Sequence, residues 1–187
     1  MNVIYAGERV CLRPFKDKDE FAWLFDEIMV VPNDHWGPGW WPRAEREKEF
    51  TPAGMLDPGM YSAFAIERLD TNEVVGFEEH GGLSSGSVAT WLGTDIRREH
   101  WHRGFGIEAK LLMLCYLFEN FPLETVHAGT LEHHTRARAG LEACGMSYIG
   151  RLSKIHHDNG KFHDIVHYRI FREEWEQLPI RDLVQRG

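Results

Sequence analysis

The chain has 187 residues, 43% of them hydrophobic, and this size suggests one domain, spanning 1–187, with a substantial core. A formal net charge of -8 at pH 7 argues against a nucleic-acid partner, and no apolar run approaches the length of a membrane span. The three cysteines, Cys11, Cys115 and Cys144, are far apart and form no CxxC pair. Neither a disulfide framework nor a structural zinc site is indicated, and with no signal-peptide pattern the expected compartment is the cytoplasm.

Residues 8–14 alternate polar and apolar side chains and close on Pro14, a strand pattern. Residues 17–31 place Phe21, Leu24, Phe25 and Ile28 on one helical face. In the loop 32–42, glycine and proline break regular structure and Trp36, Trp40 and Trp41 add apolar bulk. Residues 43–50 read as a short charged helix opened by Pro42. From residue 61 the texture is β: strands over 61–68, 73–82 and 87–96, with turns at 70–72 and 84–86 between them. A helix over about 105–121 carries Ile107, Leu111, Leu114 and Phe118 at helical spacing, and Leu112, Met113 and Leu117 widen its apolar surface. Then come a strand over 123–131, a helix over 135–144 stopped by Gly145, a strand over 146–155, a turn at 158–160 and a strand over 163–171. The order is that of a mixed α/β sheet.

The most informative stretch is Trp101-His102-Arg103-Gly104-Phe105-Gly106-Ile107, a glycine turn between a strand and a helix. A helix start offers unpaired backbone N–H groups and a partial positive charge to an anion. Arg97, Arg98, Arg103, His100 and His102 crowd it, with Glu99 alone opposing. A basic spot on an acidic chain points to a local anionic ligand. It is not a dinucleotide fingerprint, because Ala109 stands where the third glycine belongs. On spacing alone, a plain structural turn is an equal alternative.

Five segments in order resemble the GNAT superfamily of N-acyltransferases, most closely its RimJ/RimL type, the ribosomal-protein N-terminal acetyltransferases. They are Gly7-Glu8-Arg9-Val10-Cys11-Leu12-Arg13-Pro14, Glu73-Val74-Val75-Gly76-Phe77, residues 101–109 with the Glu108-Ala109 pair, Leu141-Glu142-Ala143-Cys144-Gly145-Met146, and residues 160–168 followed by Glu174-Trp175. The resemblance implies a twisted, mostly antiparallel α+β sheet of about seven strands flanked by four helices, splayed between the fourth and fifth strands. It implies acetyl-CoA (coenzyme A) as cofactor, its pyrophosphate held at Arg103, Gly104, Phe105, Gly106 and Ile107. Arg98, Trp101 and His102 stand beside that turn, and the main chain at Ile96 would polarise the thioester. Three family positions differ here: His102 stands where glycine is usual, and His134 and Ala137 stand where Asn and Ser are usual, with Arg136 and Arg138 the candidates to compensate for the latter. The tyrosine that many members use as an acid maps to Leu141.

The resemblance further implies direct attack of an amine on the thioester, either a protein N-terminus or a small-molecule amine. Candidate acid–base residues are Asp95, Glu79 and His134, with Glu78 and His80 on the opposite face of Glu79's strand; for the carboxylates and His80, ordinary solvated or capping roles compete, and for His134 a helix cap. Trp36, Trp40 and Trp41 fall where the fold lines the acceptor pocket, or form an apolar lid. Arg13, Asp17, Asp19 and Glu20 read as solvated surface, and the histidine pairs 133–134 and 156–157 as structural or surface rather than metal ligands. No metal, nucleic acid or membrane is expected as partner, and the state is monomer or homodimer. The competing class is a non-catalytic acyl-CoA-binding sensor or complex subunit.

Overall fold

The computed structural model describes residues 3–30, 48, 50–51, 53–57, 61–84, 86–158 and 160–187. Among them one sheet contains ten strands: β1 (Tyr5–Ala6), β2 (Val10–Arg13), β3 (Leu56–Asp57), β4 (Tyr61–Arg68), β5 (Val74–Gly81), β6 (Ala89–Ile96), β7 (Thr125–Leu131), β8 (Ser147–Asp158), β9 (Lys161–Phe171) and β10 (Gln185–Arg186). Their order is β10-β1-β2-β4-β5-β6-β7-β9-β8, with β3 paired to β4. Every pair is antiparallel except β6 with β7. The seven longer strands are those expected from sequence; the other three are two-residue pieces, too short to show a period.

Strand alternation sends side chains to two apolar clusters. Phe64, Ile66, Val75 and Leu92 face α2 (Phe105–Asn120), which buries Leu112, Met113, Leu114, Leu117 and Phe118. Each such side chain contributes roughly 1.5–3 kcal/mol. On the other face Ala63, Ala65 and Phe77 meet Phe21, Leu24 and Phe25 of α1 (Lys18–Phe25). Asp17 caps α1 by accepting the Glu20 amide at 2.8 Å. The helix expected over 17–31 keeps α-geometry only to Phe25 and continues as a π-turn over Asp26–Val30. The helix expected over 43–50 and the tryptophan loop lie outside the described residues, apart from Lys48 and Phe50.

Arg13 corrects a sequence expectation: it is fully buried rather than solvated. Its guanidinium donates to Glu67 at 2.7 Å and to both Glu20 oxygens at 2.8 and 2.7 Å, which is how a buried cation is tolerated. The stretches at the two ends of the sequence also exceed expectation. β1 pairs with β10, and α4 (Arg172–Trp175) and α5 (Ile180–Leu183) lead the chain there.

Two features position the site. A Cβ at Gly76 would stand 2.2 Å from the Asp95 carbonyl oxygen, so glycine lets β5 and β6 pair closely at that point. β6 and β7 pair only over Ala89↔Thr125, Thr90↔Val126 and Trp91↔His127. Beyond Trp91 the two strands part, as expected between the fourth and fifth long strands.

Candidate active site

Past the open end of β6, the chain makes a short 3-10 turn, Arg98–His100, and enters α2 through Trp101 to Gly104. Gly104 has φ 78° and caps the helix from the left-handed region, where a Cβ is disfavoured. His102 has φ 61° and so adopts a backbone that favours the glycine usual at that family position. The amides of Phe105 and Gly106 fall in the first helical turn, where no carbonyl precedes them within the helix. Ile107 donates back to the Gly104 carbonyl at 3.2 Å.

Glu108 secures this turn from behind. One carboxylate oxygen accepts the Arg9 and Val10 amides at 2.8 and 3.3 Å, and the other accepts Arg9 Nε at 2.8 Å. Arg9 Nη1 in turn donates to the Arg103 carbonyl at 2.9 Å. The motif's acid is therefore a clamp between β2 and α2.

A cavity of about 770 Å³ runs from the turn along Thr94, Asp95 and Ile96 at the free end of β6 and is closed on the other side by residues between His134 and Gly140. Ten of the expected coenzyme contacts line it: Ile96, Arg98, Trp101, His102, Gly104, Phe105, Gly106, Ile107, His134 and Arg136. Arg103 does not; it is exposed and borders a smaller groove with Glu8, Arg9 and Asp70. Trp101 Nε1 donates to the Ile96 carbonyl at 2.7 Å, and the Arg136 guanidinium stacks 3.4 Å from the centre of its ring, with Arg98 at 5.6 Å. Among the described residues no carboxylate forms an ion pair with Arg98, Arg103 or Arg136. Arg138 is turned away, donating to the Tyr168 hydroxyl and the Glu132 carbonyl. Because Arg97 donates its amide to Val75 on β5, the neighbouring Ile96 N–H points to the open side.

The candidate acids divide between the two faces. Asp95 pairs with Phe77 on the α1 face, lines the cavity, and is pushed up to about 6 by burial, opposed by the Lys110 and Arg136 charges. Glu79 shares that face but lies behind the lining, where it accepts the Tyr61 hydroxyl; burial pushes it to about 7. Glu78 pairs with Thr94 on the α2 face, fully buried, and is pushed to about 8 by burial. Among the described residues neither Glu78 oxygen has a hydrogen-bond partner of normal geometry, although Lys110 and Thr94 partly favour its ionised form. His80 lies in the core against Phe64, Tyr116 and Phe121, with Nδ1 2.7 Å from the Gly81 carbonyl. His134 stands between Thr130 Oγ1, 3.3 Å from Nδ1, and Arg136 Nη2, 3.5 Å from Nε2. Arginine only donates, so Nε2 is the acceptor there and His134 braces Arg136.

Thr94, Lys110, Glu27 and Ile28 also line the cavity and were not expected from sequence as site residues. Helical spacing was the available signal for Lys110, which is i+4 from Gly106 and shares its face. Trp36, Trp40 and Trp41 lie outside the described residues. Histidine rings meet in pairs, His133 with His163 and His156 with His163, and no group of three or more His, Cys, Asp or Glu among the described residues is arranged for a metal. No helix among them is long and apolar enough to cross a membrane.

A glycine-capped helix start beside the free edge of β6, with basic side chains around one cavity, is the arrangement the site presents. The acetyltransferase (GNAT) domain family model matches residues 9–147, and the chain belongs to that family. It is 23% identical over 117 residues to the uncharacterized N-acetyltransferase p20 of Bacillus licheniformis, a match covering 63% of this chain and 66% of that one. It is 27% identical over 109 residues to the uncharacterized N-acetyltransferase YoaA of Bacillus subtilis, covering 58% and 62%. The matches thus span just under two thirds of each curated relative. Among solved structures, a GNAT-family acetyltransferase from Bacillus anthracis superposes with TM-score 0.75 at 18% identity, covering 91% of this chain and 99% of that one. Spermidine N-acetyltransferase from Vibrio cholerae, in complex with CoA and spermine, gives 0.76 at 18%, covering 90% and 98%. These likenesses show the GNAT fold.

Proposed function

We propose that the chain transfers an acetyl group from acetyl-CoA to a primary amine by direct attack in a ternary complex. The observation that carries this reading is one cavity lined by the helix-start turn, by the open edge of β6 and by Asp95. The residues fit the coenzyme: first-turn amides, and Arg98 and Arg136 with no carboxylate ion pair among the described residues, suit a diphosphate. Gly104, Phe105, Gly106, Arg98, His102 and Arg136 would hold it, supplying the activated acyl thioester. The open edge of β6 would bind the extended arm, and the Ile96 N–H would donate to the carbonyl oxygen as charge builds there. Asp95 takes the proton from the acceptor ammonium, and Glu79 stands behind it on the same face.

Glu27 and Asp95 at the α1 end favour a cationic small-molecule amine, and the Vibrio cholerae neighbour was solved with spermine. The sequence motifs resemble the RimJ/RimL type, so peptide N-terminal amines belong in the same panel. We place the chain in the cytoplasm as a single domain, monomer or homodimer. The test is thiol release from acetyl-CoA with polyamines, aminoglycosides and peptide N-termini. With the preferred amine, kcat/KM should rise as pH rises through about 6, where Asp95 ionises, and Asp95→Asn should remove that limb. Saturable coenzyme binding without turnover on any amine would replace this reading with a sensor.

A further inference from the structure

Building on that function, we propose that Lys110 is the acid that protonates the departing coenzyme thiolate. A free thiol titrates near 8.5 and higher in apolar surroundings, so a thiolate expelled inside a cleft needs a proton delivered to it. Lys110 lies in α2 one turn past Gly106 and lines the same cavity as the phosphate turn, with Nζ 3.4 Å from the Gly106 carbonyl. No carboxylate forms an ion pair with it among the described residues. Its charge is felt by Glu78 on β5, Asp95 on β6 and Cys144 after α3 (Thr135–Ala143). Lys110 thus lines one cavity with the helix-start turn and with Thr94, Asp95 and Ile96 of β6, beside the free strand edge.

The other described candidates serve this step less well. Leu141 is a hydrocarbon buried in the core and does not line the cavity. His134 presents Nε2 to a donor, and His100 directs Nε2 to Glu73 at 3.0 Å. His102 is exposed at the outer turn. Asp95 is engaged on the acceptor side.

The step balances as follows. Asp95 removes one proton from the acceptor ammonium, and the freed lone pair forms the C–N bond to the acetyl carbon. The C–S bond breaks with its electron pair going to sulfur, and a Lys110 N–H supplies the proton that makes the thiol. The second proton on the acceptor nitrogen restores the Lys110 ammonium, and Asp95 releases its proton to water.

The experiment compares wild type, Lys110→Met and Lys110→Arg, each checked for an unchanged melting transition and coenzyme affinity. The donors are acetyl-CoA and its selenium analogue, whose selenolate leaves without needing a proton. Lys110→Met should lose about 100-fold or more in kcat with acetyl-CoA, and most of that loss should vanish with the selenoester. Lys110→Arg should stay slow, because it keeps the charge but does not give up its proton. An unaffected Lys110→Met, an equal loss with both donors, loss of coenzyme binding, or recovery by Lys110→Arg would each overturn the assignment. A wild type that releases thiol with no amine would remove the proposed function and this step with it.

Discussion

Glu78 turns the electrostatics of the cleft into a stability measurement. Its carboxyl is buried without a hydrogen-bond partner of normal geometry among the described residues, and burial pushes it from 4.5 to about 8. Between those values the unfolded chain has lost this proton and the folded chain keeps it. The stabilisation is therefore complete below pH 4.5, declines as pH rises, and is gone once pH has passed about 8. By pH 7 most of the interval has been crossed, and at about 1.4 kcal/mol per pH unit that amounts to roughly 3 kcal/mol. Glu78→Gln keeps the size and removes the titration. Urea unfolding of both proteins from pH 5 to pH 7 should show wild type losing roughly 3 kcal/mol relative to the variant. Parallel curves over that range would mean that Glu78 does not hold its proton in the fold.

Two further variants probe the turn proposed to hold the diphosphate. Glu108→Ala strips the acceptor from the Arg9 and Val10 amides and should cost roughly 2–4 kcal/mol by urea unfolding, with weaker coenzyme binding as Arg9 releases the Arg103 carbonyl; an unchanged midpoint would show that Glu108 is no clamp. Gly106→Asp adds a side chain 3.3 Å from Ile96 Cγ1 and a negative charge that a helix start tolerates. Its melting temperature should hold while CoA affinity by calorimetry falls about 100-fold, since a carboxylate then occupies the anion cradle; retained affinity would move the diphosphate elsewhere.

The long elements were legible because their periods are long enough to read. Twelve-residue and eight-residue strands and the sixteen-residue α2 each repeat their pattern several times. β1 and β10 were not, since two residues have no period and each exists only because the other pairs with it. Arg13 misled for a different reason. Composition treats an arginine as surface, and only the fold reveals that Glu20 and Glu67, 7 and 54 positions away, converge on it.

The site divides along the same line between local and long-range information. The glycine turn proposed as an anion site is local: Gly104 and Gly106, the basic neighbours and the helix that follows lie within a few residues, so its parts are visible in the sequence. Acid–base roles depend on burial and on which strand faces which helix, and these are long-range. Asp95, Glu78 and Lys110 come from three elements, and only the register Phe77↔Asp95 and Glu78↔Thr94, with α2 packed over Thr94, separates their faces. Under the proposed assignment the acid would come from α2 instead of α3, which is consistent with Leu141 being core, buried against the cluster that contains Met113 and Cys144. A hydroxyl there would face apolar neighbours, so Leu141→Tyr should not compensate for Lys110→Met.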